Sequence, residues 1–456
     1  MRIKFSPTKV KSKDVVAVTL GSGQDTGVIQ SLGGRRSLTI GFEKVTRRKF
    51  INLCRQVIMV AKSHRCKKLA VLARDFVFPH LGIPEAELGE LMAVNFEMAN
   101  FEFTKYKTRP KKGWPFVDEV TVVGKVSPEG RRGFARGQLI GRAINDCRIL
   151  ANTPGSDMTP SVLADAAVQA AVGTAIKVQV LRREQMEELH MGGVLGVAKG
   201  SAEEPRFIIM EYRGGGEEKP IVLVGKGVTF DTGGINLKPE HAMSDMHMDM
   251  SGGAAVMYAV SVAARLKVKK NIIGLIPAVE NMPSGSSYRP GDMLKSLSGK
   301  TIEVLNTDAE GRIILADALT YARRYHPRLV VDVATLTGAA MVALGQRASA
   351  LFSNDDQLLP VLQAMGEESG DYVWPLPLWE EYEEDIRGNL ADIANVGKTR
   401  YGGAITGATF LHQFAKGLRW VHLDIAPRMT SIDGEHLAKG AAGAPIRLLL
   451  KLVERL

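Results

Sequence analysis

Residues 301–322 read TIEVLNTDAEGRIILADALTYA, and the two halves of this stretch decide the fold class. The apolar, β-branched run TIEVL predicts a strand. The alanine-rich apolar run IILADALTYA predicts a helix that begins near Ile313. Between them NTDAEGR, residues 306–312, places two carboxylates, a glycine and an arginine where the strand stops and the helix starts.

Other apolar runs of strand length surround this junction. PIVLVGKGVTF (220–230), NIIGLIPAVEN (271–281) and RLVVDVATLTG (328–338) alternate with helical segments. Because these runs are apolar on both faces, they predict strands buried between helix layers in a mostly parallel sheet. Ligands of such sheets gather beyond the carboxyl ends of the strands, which is where NTDAEGR is expected to lie.

The sequence pattern predicts an α/β fold with two domains. Residues 1–130 alternate short apolar runs with helix-like stretches and form a smaller amino-terminal α/β domain. A long helical pattern over 131–155 ends at Pro154 and Gly155 and connects the domains. Residues 156–456 form the second domain, with the central parallel sheet flanked by helices.

Length and composition are those of a soluble globular protein. The chain has 456 residues, 45% of them hydrophobic and 24% charged, which suffices for two or three domains with substantial cores. No apolar run spans a membrane and the N-terminus lacks a signal-peptide core, so a cytoplasmic location is expected. Cys54, Cys66 and Cys147 are widely spaced, which predicts buried free thiols.

Positive charge is concentrated in the first third of the chain. Residues 1–150 hold 28 Lys and Arg against 13 Asp and Glu, whereas the remainder carries a small negative excess. Runs such as TRRKF, SHRCKK and KYKTRPKK are compatible with nucleic-acid binding through released counterions. A solvated basic surface is the favoured interpretation, because aromatic residues are sparse among these runs and no known nucleic-acid motif is present.

Four carboxylates fall at predicted strand or helix ends: Asp231, Asp249, Asp308 and Glu310. For Asp249 and Asp308, helix capping is the simpler explanation and would contribute about 1 kcal/mol. Four carboxylates packed at one place would repel strongly, so cations must accompany them. Two divalent ions that share bridging carboxylates suit their number.

The stretch VGKGVTFDTGGINLKP, residues 224–239, adds Lys226 and Lys238 on either side of Asp231. A glycine-rich loop with lysine suggests phosphate binding, but the P-loop spacing is absent. Even SGKT at 298–301 has Leu294 where the first glycine should be. A metal held beside a cation that polarises a substrate is the alternative use of this loop.

Several ordered motifs resemble the leucyl aminopeptidase family, the M17 metallopeptidases. They include VGKGVTFDTGGINLKP, the segment 280–322 with NTDAEGR, DVATLTGA, RYGGAITGATFL and HLDIA, and the resemblance spans roughly residues 133–456. It implies a carboxy-terminal catalytic domain. The amino-terminal domain, identified as macro-like, is compatible with the variable first domain of that family.

The resemblance implies a role for each site residue. Two divalent metals, Zn or Mn, would be held by a set in which Asp231 and Glu310 bridge and Asp308 also lends its backbone carbonyl: Lys226, Asp231, Asp249, Asp308 and Glu310. Lys238 would stabilise the oxyanion and Arg312 would hold a bicarbonate that acts as general base. The pocket for the first side chain would be lined by Met246, Thr335, Gly338, Ala426 and Met429.

The resemblance also implies peptide substrates, an apolar, leucine-like preference at the amino terminus, and a homohexamer of two stacked trimers. Three positions depart from the family pattern: His247 replaces a common lysine, Thr232 a common serine, and Pro427 a common glycine. By default His247 is expected near the surface or behind the metal ligands, and Pro427 is expected to reshape the pocket wall. Two other functions stay open, a DNA-binding role of the basic domain and a two-metal phosphatase or nuclease.

Overall fold

The computed structural model of the protein describes residues 1–10, 12–23, 26–32 and 35–456. The chain divides into two compact units. The first comprises Met1–Asn145 and Ser431–Gly440, and the second comprises Asp146–Thr430 and Ala441–Leu456. The boundaries at 130 and 155 stay a prediction.

The first unit is built on a six-stranded sheet. Its strands are β1 (Arg2–Ser6), β2 (Val16–Ser22), β3 (Val28–Leu32), β4 (Arg35–Phe42), β5 (Lys68–Leu72) and β6 (Glu119–Val123). They are ordered β1-β6-β5-β2-β4-β3, and every neighbouring pair is parallel except β3 with β4. Its helices are α1 (Arg47–Ser63), α2 (Glu85–Ala99) and the greater part of α3 (Pro128–Ala151), with short 3-10 turns at Ala73–Phe76 and Pro79–Leu81.

Glycine determines how closely α2 and α3 pack in this unit. A stripe of α3 glycines faces α2, and an added Cβ on any of them would lie less than 3.0 Å from α2 atoms: Gly130, Gly133, Gly137 and Gly141. At Gly133 that Cβ would lie 1.9 Å from the Ala86 carbonyl oxygen. Any larger side chain at this position therefore requires the helices to move apart.

The second unit contains a nine-stranded sheet and a small three-stranded sheet. The strands of the large sheet are β7 (Ile176–Leu181), β8 (Arg206–Arg213), β9 (Ile221–Gly225), β10 (Gly227–Asp231), β11 (Asn271–Asn281), β14 (Leu329–Ala334), β15 (Ser349–Ser353), β16 (Val373–Pro375) and β18 (Trp420–Asp424). The small sheet contains β12 (Met293–Lys295), β13 (Thr301–Glu303) and β17 (Ile393–Ala394).

Helices flank the large sheet. They are α4 (Pro160–Ala171), α5 (Arg183–Glu188), α6 (Gly192–Ala198), α7 (Glu240–Met243), α8 (Ser251–Arg265), α9 (Glu310–Ala322), α10 (Gly338–Leu344), α11 (Leu358–Ser369), α12 (Gly403–Ala415) and α13 (Ile446–Arg455). Further 3-10 turns lie at Met246–Met248, Arg323–Tyr325, Glu380–Ile386 and Ala426–Arg428.

The large sheet is mostly parallel, as predicted. Its order is β16-β15-β18-β14-β9-β11-β8-β7, with β10 also paired to β11. Five neighbouring pairs are parallel and three are antiparallel. Every residue of β9 and β14 is buried, which agrees with sequences that are apolar except for Asp332. The α/β class with a helix-flanked parallel sheet is confirmed.

The position of TIEVL differs from the prediction. Only Thr301–Glu303 form a strand, and that strand belongs to the small sheet rather than the central one. Beyond it the backbone bonds to other groups, since Val304 N donates to Asp292 O and Leu305 N donates to the side-chain oxygen of Asn395. A side-chain acceptor thus replaces a neighbouring strand and ends the pairing early.

The structure also bears on two predictions that do not concern the sheets, those about the cysteines and about membrane-spanning helices. Cys54, Cys66 and Cys147 are buried free thiols, as expected. Within the described ranges, no helix has the length and apolar character needed to cross a membrane.

Candidate active site

Lys226 lies at a break between two strands. β9 ends at Gly225 and β10 begins at Gly227, so the lysine side chain points from the centre of the sheet into a buried space. Its Nζ lies 2.7 Å from both Asp249 Oδ2 and Glu310 Oε1 and donates to Thr335 O at 3.0 Å. The sequence PIVLVGKGVTF is therefore two strands, and the residue between them contacts two of the predicted metal ligands.

Asp231 is the last residue of β10. Its Oδ1 accepts from Gly233 N and Asn281 Nδ2, both at 2.8 Å, and its Oδ2 lies 2.8 Å from Lys238 Nζ. Lys238 also forms an ion pair with Asp308. Each lysine thus lies between two carboxylates of the predicted set.

Asp249 follows the 3-10 turn Met246–Met248 and is buried. Its Oδ1 accepts from Thr335 Oγ1 at 2.6 Å. It does not cap a helix, because α8 begins at Ser251 and the residue before that is Met250. The capping explanation for Asp249 is wrong, and its carboxylate points toward Lys226 instead.

The junction NTDAEGR differs from the prediction in one respect. Helix α9 begins at Glu310 rather than near Ile313, its N-cap residue is Ala309, and the cap makes no side-chain hydrogen bond. Asp308 therefore does not cap the helix. Glu310 is 1% exposed, and an added Cβ on Gly311 would lie 2.5 Å from Lys226 Cε. Only glycine allows the first turn of α9 to approach the lysine this closely.

The electrostatics of the cluster favour additional positive charge. Four carboxylates share two lysines, which leaves a buried negative excess. Burial raises the pKa values of Asp231, Asp249 and Asp308, and neighbouring carboxylates raise them further. Burial disfavours the Lys226 and Lys238 ammonium groups, but the surrounding carboxylates outweigh it and raise both pKa values above the usual range.

The donor set fits divalent cations. Carboxylate oxygens of Asp231, Asp308 and Glu310 lie within 4.8 Å of one another. Asp249 Oδ2, Asp308 Oδ1 and Glu310 Oε1 are buried and lack a hydrogen-bond partner among the described residues. Each of these oxygens is instead paired with a lysine ammonium group. Carboxylate oxygens whose only neighbouring cation is a lysine are suitable ligands for a hard divalent cation.

Arg312 lies on α9, two residues after Glu310. Its Nη1 donates to Asn395 O at 2.9 Å, whereas its Nε is buried and has no hydrogen-bond partner within the described part of the chain. Burial lowers its pKa to about 10, although Glu310, Asp424 and Asp308 oppose the change. The guanidinium is therefore charged at neutral pH, and its Nε–H is available to donate a hydrogen bond.

Of the five predicted pocket residues, Thr335 and Met246 bond to Asp249 of this cluster. Thr335 contacts Asp249 directly. Gly338 begins α10, and an added Cβ there would meet no atom within 4 Å. Ala426 N donates to Asp424 Oδ1 at 3.1 Å. The two methionines are joined by backbone bonds to their neighbours: Met246 O accepts from Asp249 N, and Met429 N donates to Ala426 O.

The three residues that depart from the family pattern lie in different environments. His247 is partly exposed, and its Nδ1 lies 3.2 Å from Ser244 O. Thr232 is buried, and its hydroxyl donates to Asn281 O at 2.7 Å. Pro427 is buried within the 3-10 turn Ala426–Arg428.

Several buried polar residues support the cluster but were not among the predicted site residues, although Asn281 and Asp424 lie within motifs that resemble the family. Asn281 Nδ2 donates to both Asp231 Oδ1 and Thr307 O, so it joins the end of β11 to two segments that carry predicted metal ligands. Asn395 bonds to the loop before α9 and accepts from Arg312. Asp424 accepts from Leu336 N and Thr337 Oγ1. The sequence does not indicate the supporting role of these residues, because their contacts are made with segments far away along the chain.

Comparisons with known proteins agree on one family. The catalytic-domain model of the cytosol aminopeptidase family (peptidase M17) matches residues 145–450. The probable cytosol aminopeptidase of Syntrophotalea carbinolica is 46% identical over 380 residues, 82% of this chain and 76% of the relative. That of Roseiflexus castenholzii is 44% identical over 429 residues, 92% of this chain and 87% of the relative.

The fold of a solved structure supports the same family assignment. The bottromycin maturation enzyme BotP in complex with Mn is 32% identical, with a TM-score of 0.87 over 97% of this chain and 99% of that chain. This chain therefore belongs to the cytosol aminopeptidase family.

Proposed function

We propose that this protein is a metal-dependent aminopeptidase that removes leucine-like, apolar residues from the amino terminus of peptides. The observation that carries the proposal is the largely buried cluster of four carboxylates paired with Lys226 and Lys238, in which three carboxylate oxygens have no partner other than a lysine among the described residues. Membership of the family and the manganese in the BotP structure support the same chemistry.

Lys226, Asp231, Asp249, Asp308 and Glu310 would hold two divalent ions, Zn or Mn, with Asp231 and Glu310 between them. Such ions supply Lewis acidity and lower the pKa of water. Lys226 can act as a ligand only as a neutral amine, and burial together with the added positive charge favours loss of its proton. The carboxylates that now face its ammonium would then face the ions.

Lys238 is placed to remain a cation. It lies on the loop after β10, its side chain is 14% exposed, and Asp231 and Asp308 contact it. Burial disfavours its ammonium group, but Asp231, Glu310 and Asp308 outweigh burial and raise its pKa, so it is protonated at neutral pH before metal binds. A fixed ammonium beside the scissile carbonyl would stabilise the negative charge that develops on the carbonyl oxygen.

Arg312 would hold a bicarbonate ion that serves as general base. The unpartnered Nε and the planar fork of the guanidinium suit a planar anion. The contact of Nη1 with Asn395 O fixes the orientation of the guanidinium.

The first side chain of the peptide would enter a pocket lined by Met246, Thr335, Gly338, Ala426 and Met429. Open space above Gly338 and the apolar character of the methionines favour leucine or methionine over charged residues. A cytoplasmic location and a homohexamer belong to the same proposal. Sedimentation of the purified protein tests the oligomeric state, and a fully active monomer would contradict it.

Substrate comparison tests the exopeptidase activity. We expect hydrolysis of leucine p-nitroanilide in the presence of Mn²⁺ or Zn²⁺, loss of activity with a chelator, and recovery when metal is added back. N-acetyl-leucine p-nitroanilide should resist cleavage, because the free α-amino group is expected to bind at the metal site. Equal cleavage of the acetylated compound would contradict the proposal, as would activity that survives exhaustive chelation.

A further inference from the structure

A cavity of about 670 Å³ lies within the first unit, at the carboxyl ends of three neighbouring parallel strands. These strands are β1, β6 and β5, which lie side by side in that order. The cavity is lined by the segments that follow them, together with residues of α2 and α3. Ligands of parallel α/β sheets bind at this end of the strands, and the volume suits a small organic molecule.

Each of the three strand-end segments contributes one cation to the cavity: Lys9 after β1, Arg74 after β5 and Lys125 after β6. Among the described residues, Lys9 and Lys125 have no ion-pair partner, and Arg74 Nε lies 3.7 Å from Asp75 Oδ1. A single acidic residue, Glu85, appears in the described lining, and its Oε1 already accepts from Ser127 N at 2.9 Å. The cavity rim therefore carries surplus positive charge.

The walls between these cations are apolar. They are formed by Leu72, Leu88, Met92, Val123, Val126 and Phe134. The backbone around the cavity is held in place, because Gly124 N donates to Ser6 O at 2.9 Å and joins the ends of β6 and β1. Gly124 has a φ of 119°, which other residues rarely adopt. A preformed apolar cavity with a cationic rim suits an anion attached to an apolar or aromatic body.

We propose that this cavity binds a phosphate monoester carried on an aromatic or apolar body, with Lys9, Arg74 and Lys125 around the phosphate. The cavity is lined by three cations and by one carboxylate that already accepts a hydrogen bond. This surplus of positive charge favours a dianionic phosphate over a ligand that carries one carboxylate. Because every lining residue belongs to the first unit, the proposal is independent of the peptidase chemistry.

Calorimetric titration of the full-length protein tests the proposal. Adenosine 5′-monophosphate is the probe. Adenosine lacks the phosphate, inorganic phosphate lacks the aromatic body, and 3-phenylpropionate carries a carboxylate in place of the phosphate, so the three compounds test these features separately. We expect saturable binding of one nucleotide per chain, with adenosine and phosphate each at least about tenfold weaker. Arg74→Glu and Lys125→Glu should each weaken nucleotide binding by about tenfold or more.

Lys111→Glu is the matched control, since this lysine is exposed, lies in the same unit and does not line the cavity. It should bind the nucleotide as the unmodified protein does, and thermal melting of all three variants should match. The proposal is overturned by absence of saturable binding, by binding that neither cavity substitution weakens, or by an equal loss in Lys111→Glu. Tighter binding of 3-phenylpropionate than of the nucleotide would also overturn it.

Discussion

At the residue scale, Gly311 is the most sharply defined position in the candidate active site. Its missing side chain makes room for the Lys226 stem. Alanine inside a helix normally stabilises by about 1 kcal/mol relative to glycine, so Gly311→Ala should not weaken α9 itself. Displacement of Lys226 should nevertheless lower the rate of leucine p-nitroanilide hydrolysis by about 100-fold. Gly285→Ala, where an added Cβ meets nothing within 4 Å, is the control and should retain full activity.

Through one side-chain amide, Asn281 bonds to two segments that carry proposed metal ligands. Asn281→Asp keeps the shape but replaces both donated hydrogen bonds with charge repulsion toward Asp231. We expect Mn²⁺ affinity, measured by calorimetry on the metal-stripped protein, to fall by about 10- to 100-fold. Asn354→Asp, an exposed position with the same charge change, is the control. Unchanged Mn²⁺ affinity in Asn281→Asp would rule out the positioning role.

His422 forms a buried ion pair with Asp332, in which Nδ1 and Oδ1 are 2.6 Å apart. Burial lowers the pKa of His422, but the carboxylate outweighs burial and raises it above its ordinary value of 6.5. The folded protein then keeps this proton to higher pH than the unfolded chain. Its contribution to the free energy of unfolding is complete below about pH 6.5 and is lost as pH rises through the higher folded pKa.

A histidine NMR titration measures this directly. His422 should titrate above 6.5, and His412 and His436, whose pKa values burial lowers, should titrate below it. Asp332→Asn should bring the pKa of His422 down. A His422 resonance that titrates below those of the other two would contradict this account.

At the element scale, the sequence identifies strands best where both faces are buried. The runs that became β9, β11 and β14 are largely apolar on both faces, so their sequences predict a central parallel strand without further information. TIEVL is also rich in β-branched and apolar residues, yet it pairs in the small sheet, and the side chain of Asn395 binds the backbone that follows. That contact joins segments about 90 residues apart and leaves no local pattern in the sequence.

Helix starts were harder to predict for a related reason. The sequence favours aspartate as an N-cap, but Asp249 and Asp308 both face lysines, and α8 and α9 begin without a side-chain cap. The structure nevertheless brings the four carboxylates together around Lys226 and Lys238. The ion pairs with Lys226 and Lys238 explain why capping was displaced.

Several residues of the basic runs make ion pairs or hydrogen bonds within the first unit. Arg47 pairs with Glu87, Arg65 donates to the carbonyls of Lys112 and Gly113, and Lys67 donates to those of Trp114 and Phe116. These contacts favour a structural and solvated role for part of the surplus charge. The DNA-binding alternative stays a prediction, which a gel-shift assay at low and moderate salt would test.

Helix α3 provides a prediction about the stability of the first unit. Gly133→Ala places a methyl group against the Ala86 carbonyl and should lower the free energy of unfolding by about 1–3 kcal/mol. Denaturant unfolding measures the loss. Ala135→Val adds bulk on the exposed face of the same helix and should cost no more than about 0.7 kcal/mol. An equal loss in both variants would mean that close packing against α2 is not the cause.

At the scale of the whole molecule, the buried negative excess predicts that metal stabilises the fold. When an ion binds only the folded chain and its concentration is 100 times its dissociation constant, it adds about 2.7 kcal/mol per site to the free energy of unfolding. The melting temperature should therefore fall with a chelator and recover with Mn²⁺. Identical melting curves with and without chelator would show that the four carboxylates need no divalent ion.

Hydrolysis of leucine p-nitroanilide by the Mn²⁺-loaded protein, with and without the double substitution Asp308→Ala and Glu310→Ala, tests the central claim most directly. These two carboxylates lie at the junction of NTDAEGR, and capping explains neither of them. We predict robust metal-dependent hydrolysis by the unmodified chain and none above background by the double variant, with circular dichroism showing that both are folded. Activity that survives the double substitution would contradict the account.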